Sequence, residues 1–68
     1  PAFSAEQAAV VDLAKQAQRA GISVQEAETL MQWAREAGLP FRNDINSSHW
    51  VAGGHIHVGP VNHIPVKK

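Results

Sequence analysis

Gly54-His55-Ile56-His57-Val58-Gly59-Pro60-Val61-Asn62-His63-Ile64-Pro65-Val66 is the stretch whose reading decides the fold. Its first part alternates imidazole and aliphatic side chains at period two, the pattern of a strand with two chemically different faces. Gly59 and Pro60 interrupt the alternation. Val61 to Val66 then reads as a second short strand, and Pro65 marks it as an edge because proline has no N–H to give to a ladder. The two strands make a β-hairpin, and its register decides what the histidines do. With a two-residue loop, Val58 faces Val61 and Ile56 faces His63, so both faces mix apolar and imidazole groups. With a three-residue loop ending at Val61, Val58 faces Asn62, His57 faces His63 and Ile56 faces Ile64. Ile56, Val58, Ile64 and Val66 then share one face, and His55, His57 and His63 share the other. An apolar face that must be buried usually fixes register, so the pattern favours the three-residue loop and brings three imidazoles together.

Outward from the hairpin, Gly53-Gly54 reads as a break and His49-Trp50-Val51 as a short extended piece. Asn43-Asp44-Ile45-Asn46-Ser47-Ser48 has the composition of turn and loop. Before Phe41 the period becomes helical. Ser4-Ala5-Glu6-Gln7 is a capping box, followed by an apolar stripe of Val10, Leu13, Ala14 and Ala17 and by Gly21 as a stop. Ser23-Val24-Gln25-Glu26 is a second capping box, with Ile22 and Ala27 placed for a hydrophobic staple. Ala27, Leu30, Met31 and Ala34 continue it, flanked by Trp33 and Ala37, and Gly38 then Pro40 end it. At this spacing Met31 and Trp33 read as core rather than site. The short joint from Ala20 to Ile22 makes the pair an αα-hairpin. The expected class is α+β: an N-terminal αα-hairpin, a loop and a small C-terminal β-hairpin. Residues 1–68 form one small domain, with 1–40 as helical scaffold and 41–68 as histidine-rich loop and β-hairpin.

Sixty-eight residues without cysteine leave few means of stabilisation. A domain of this size buries only about 60% of the surface its unfolded chain exposes, and small domains usually add a disulfide, a metal or a partner. Disulfides and thiolate zinc sites are excluded, whereas four histidines leave a metal open. No apolar run is long enough to span a bilayer and no signal peptide is visible. A start at Pro1 fits release from a longer chain as well as loss of an initiator Met. The net charge is zero but uneven. Residues 1–38 carry −2, from Lys15, Arg19 and Arg35 against Glu6, Asp12, Glu26, Glu28 and Glu36. Residues 39–68 carry +2, from Arg42, Lys67 and Lys68 against Asp44, together with every histidine.

Three readings of the histidine face compete. Three imidazoles are the ligand set of a catalytic zinc or similar transition metal with an open fourth position, and a His-x-His strand projects two rings to one side. Without a metal, two imidazoles can serve as base and acid, as RNA cleavage through its own 2′-hydroxyl requires. In the third reading they are polar surface groups of a half-buried hairpin. A magnesium nuclease is disfavoured, because that ion wants carboxylates and the tail offers only Asp44. No cysteine, nucleophile elbow, Walker A loop or dinucleotide glycine pattern is present. Arg42, Lys67 and Lys68 are candidate phosphate contacts, and Trp50 can stack on a base or cap the core.

The run from Gly54 to Val66, with its His-x-His-x-Gly-Pro-x-x-His centre, resembles the ending of C-terminal toxin domains of bacterial polymorphic toxins, Rhs-type or contact-dependent. Residues 27–40 resemble the helix that precedes that ending, so the likeness covers roughly residues 5–66. It differs from the Gly-His-His toxins of the HNH class, because Ile56 separates the histidines and no helix follows the hairpin. The resemblance implies delivery from a longer secreted protein into the cytoplasm of a neighbouring cell, a cognate immunity protein, and nuclease activity. It makes His55, His57 and His63 the functional residues, with nucleic acid as substrate and RNA favoured.

Overall fold

The computed structural model describes residues 3–46 and 54–67. Two helices precede a four-stranded sheet: α1 (Ala5–Ala20), β1 (Ile22–Ser23), α2 (Val24–Glu36), β2 (Phe41–Asp44), β3 (His55–Val58) and β4 (Val61–Lys67). The strand order is β1-β4-β3-β2. β1 lies parallel to β4, and the β4–β3 and β3–β2 pairs are antiparallel. No described helix is long and apolar enough to cross a membrane.

Both helices start where their caps demand. The Ser4 and Ser23 hydroxyls accept from the amides of Gln7 and Glu26, each at 3.1 Å, and those side chains accept from the cap amides in return. α2 ends in a Schellman motif: Leu39 N–H donates to Ala34 O at 2.8 Å and Gly38 N–H to Arg35 O at 3.2 Å, with Gly38 at φ +78°. The Gln7 side chain, at the start of α1, donates to Ala37 O just past the end of α2. The helices therefore run antiparallel, as the short joint requires.

The helices cover one face of the sheet. Val10, Val11, Ala14 and Ala17 of α1 and Ala27, Leu30, Met31 and Ala34 of α2 meet Ile56, Val58, Val61, Ile64 and Val66, with Leu39 and Ile45 closing the sides. Ala14, Ala27 and Ala34 are fully buried, and their small side chains let the helices approach closely. The α1 stripe is rotated from the expected one: Val11 is buried, and Leu13 is 41% exposed beside Trp33, which is 45% exposed. Trp33 is thus not core. The described residues form two layers, helices on one face of the sheet, and Trp33 lies on the outer side of the helical layer.

The strands correct the sequence reading in three places. Phe41 to Asp44, read as the start of a loop, is a strand, and Asn43 ends it by accepting from the Ile45 amide at 3.1 Å. Ile22 and Ser23 pair with Val66 and Lys67, so β4 is flanked on both sides and Pro65 does not lie on an edge strand. Proline is tolerated because the β1 register begins one residue beyond it. Gly54 is not a simple turn residue, since a Cβ there would overlap the Ile45 carbonyl oxygen. His49, Trp50, Gly53 and Lys68 lie outside the described residues.

The hairpin adopts parts of both registers considered above. Val58 faces Val61 across a two-residue turn whose Gly59 has φ +55°, and Ile56 faces Ile64. The count differs by one, and a β-bulge opposite His57 absorbs the extra residue. All the apolar residues then face the helices.

The caps and the buried aliphatics give separable predictions. Ser23→Ala should lower unfolding free energy by about 1 kcal/mol in urea, as lost N-caps generally do. Ile56→Ala should cost about 2–5 kcal/mol, most of what a domain this small has to lose, and abolish cooperative melting of the helical signal. The Glu26 carboxyl is held below its ordinary value of 4.5, mainly by the Ser23 backbone amide and then by the Ser23 hydroxyl. Its contribution is full above that ordinary value and is lost as pH falls through the lower folded one. Acid titration of Ser23→Ala should therefore show a weaker loss in that window than the parent.

Candidate functional site

The sheet face turned away from the helices carries the histidine cluster. β3 presents His55 and His57 two residues apart, and β4 brings His63 to them from across the hairpin. The ring centroids are 5.0 Å apart for His55–His57 and for His55–His63, and 4.8 Å for His57–His63. One nitrogen from each ring can be chosen so that all lie within 4.8 Å of one another. His55 is buried at 4% exposure, His57 is half-buried and His63 is exposed, so the cluster opens outward from a sealed base.

His63 reaches the cluster through its backbone. It sits in the bulge at φ +54°, the one described non-glycine residue with positive φ. Such a conformation is uncommon for an L-residue, although histidine visits it more often than most. Its amide donates to His57 Nδ1 at 3.4 Å, and Asn62 Oδ1 lies 3.3 Å from the same nitrogen. The bulge thus delivers both an imidazole and a carboxamide to His57.

Asp44 joins the site from β2. The register places Asp44 opposite His55 and Arg42 opposite His57, on the same face. Asp44 Oδ2 lies 3.4 Å from His55 Nε2 and 3.4 Å from His57 Nε2. Arg42 Nε donates to the same carboxylate, 2.9 Å from Oδ2 and 3.1 Å from Oδ1, while its side chain remains 75% exposed. Among the described residues the site therefore gathers three imidazoles, one carboxylate and one guanidinium.

Comparison with protein-family models, curated proteins and solved structures finds no match to this chain. Any function must be argued from the site itself. His55, His57 and His63 come together as the alternation required, and Arg42 joins them. Lys67 does not converge in the same way: it pairs with Ser23, its stem lies against Gly21, and its charge acts on Glu26. Trp50 and Lys68 lie outside the described residues. Asp44 is the residue sequence reasoning passed over. The signal for it was Arg42-x-Asp44, charges two apart that share a face if the segment is extended.

His63→Gly should separate backbone from side chain. Glycine relieves the positive φ, so the unfolding free energy should stay level or rise by up to about 1 kcal/mol. A clear drop in the urea midpoint would mean that the imidazole holds the bulge in place.

Proposed function

We propose that this chain is the effector domain of a bacterial toxin and cleaves nucleic acid, RNA in preference to DNA, with His55, His57 and His63 as its catalytic residues. The observation that carries the reading is the convergence of three imidazoles on the sheet face turned from the helices, two of them beside one carboxylate, with an exposed guanidinium alongside. Arg42 would hold a phosphate oxygen, a task suited to a planar cation with several donors. The resemblance of residues 5–66 to polymorphic toxin endings supports delivery from a longer secreted protein into a target cytoplasm, and a cognate immunity protein as partner.

RNA supplies its own nucleophile. One imidazole takes the 2′-hydroxyl proton, the 2′ oxygen bonds to phosphorus, and the 5′ oxygen leaves with a proton from a second imidazole. His57 and His63 would be this pair; the exposure of His63 and the Asp44 carboxylate 3.4 Å from His57 Nε2 support the assignment. A triad of imidazoles can instead hold a metal that activates the attacking oxygen. A second reading, a non-enzymatic module that binds a metal or a partner protein, draws on the burial of His55.

Purified chain incubated with total RNA and plasmid DNA, with and without EDTA, tests the proposal. The parent should cut RNA. His57→Ala and His63→Asn should lose at least about 100-fold in rate while keeping the helical circular dichroism. Asparagine is chosen because it accepts the left-handed backbone. If the parent cuts neither polymer, the nuclease reading is overturned and the binding module stands in its place.

A further inference from the structure

We propose that Asp44, His55, His57 and His63 form a four-donor site for one divalent transition metal of the zinc class. The proposal rests on reading the histidines as the working centre. It adds a carboxylate ligand from β2 and assigns the outer partner of one ring.

The first argument is distance. A nitrogen or carboxylate oxygen ligates zinc at about 2.0–2.1 Å, which separates neighbouring ligands of a tetrahedral ion by about 3.3 Å. Asp44 Oδ2 lies 3.4 Å from both His55 Nε2 and His57 Nε2. These spacings are long for an N–H···O hydrogen bond, which prefers about 2.9–3.0 Å. They are close to such an edge, so a cation could draw these three donors together with little movement. The remaining donor is His63: one nitrogen of each ring can be chosen so that the three lie within 4.8 Å of one another, and the rings would have to draw in around an ion to reach that edge.

The second argument is the tautomer of His57. Its Nδ1 lies 3.3 Å from Asn62 Oδ1, an acceptor. The His63 amide donates to the same nitrogen at 3.4 Å, so Nδ1 accepts and Nε2–H faces the Asp44 carboxylate, 3.4 Å away. A bound metal would take the place of the Nε2 proton, and Nδ1 would then carry a proton and donate to Asn62 Oδ1. Metal-ligating histidines typically donate the second ring N–H to an oxygen acceptor of this kind, which fixes the ring for ligation. Asn62 is thus the positioning residue of His57.

The third argument is chemistry and place. Imidazole nitrogens with one carboxylate suit zinc and its neighbours, not magnesium or calcium, which want oxygen. The donors come from three adjacent strands, so one ion would tie β2, β3 and β4 together on the face that the helices leave uncovered. A domain this short, without cysteine, has few other means of stapling its sheet. Asp44 also pairs with Arg42, which makes it the donor that an incoming anion can most readily displace.

Cobalt(II) titration of the full chain, followed by its visible ligand-field absorption and then by displacement with zinc, tests the site without any substrate. The expected result is saturation at one equivalent with the intense spectrum of four-coordinate cobalt, bleached by one equivalent of zinc. Zinc should also raise the melting temperature of the helical signal. His63→Asn should weaken binding at least about 100-fold, and Asn62→Ala by about 10-fold. Asp44→Asn should weaken it and shift the absorption toward the fainter spectrum of higher coordination. Asp44→Glu, which keeps the carboxylate, should recover part of the intensity. Absence of one-to-one uptake by the parent would overturn the site, and an Asp44→Asn chain identical to the parent in affinity and spectrum would overturn the four-donor assignment. Stoichiometric metal uptake by a chain that cuts no polymer would uphold the site and remove the nuclease reading. EDTA-resistant cleavage by a chain that takes up no cobalt would do the reverse.

Discussion

Two demands on one hairpin conflict, and the rest of the structure follows from how they are met. Gly59 and Pro60 make a two-residue turn that pairs Val58 with Val61, whereas burial of Ile56 and Ile64 requires them to face each other. Continuous pairing cannot satisfy both, because side chains alternate faces at every residue. The chain resolves the conflict with an extra residue opposite His57 and a left-handed backbone at His63. The bulge keeps five aliphatic side chains on the helical face. The same kink turns His63 onto His55 and His57, so the device that completes the core also assembles the site.

The histidine cluster is built from strand residues, yet the helices determine which face of the sheet carries it. Their buried faces are rich in alanine and valine, which lets them lie close against one side of the sheet. The other side is left to polar groups. Core and site therefore occupy opposite faces of the same strands. Substitution of the exposed His63 should affect stability less than truncation of the fully buried Ile56, Val58 or Ile64.

β2 is the strand that turns a histidine cluster into a polar network. Its four residues, Phe41-Arg42-Asn43-Asp44, would not form a strand by propensity, since asparagine and aspartate are depleted there. Pairing with β3 holds them extended, and Asn43 then turns the chain away at Ile45. The result is a carboxylate buried against two imidazoles and capped by a guanidinium. This arrangement fits either oriented proton transfer or metal ligation, and in both cases Asp44 is the group that holds the rings in place.

Much of this was legible in the residues themselves. Two capping boxes, the Gly38 stop and the period-two alternation at His55 to Val58 determine the helices, the β3–β4 hairpin and the shared face of His55 and His57, whereas the bulge brings His63 to them. These features depend on interactions within a few residues, or on the simple rule that apolar faces are buried. Tertiary structure decided the rest. β1 and β2 are too short and too polar to declare themselves, and exist because β4 and β3 offer them ladders. Whether Leu13 or Val11 enters the core depends on the angle at which α1 meets the sheet. Asp44 becomes part of the site only because the β2–β3 register places it opposite His55. Such pairings are long-range, and a one-residue slip would send every side chain to the other face. Periodicity within a strand cannot supply that information, because the register is set by the partner strand.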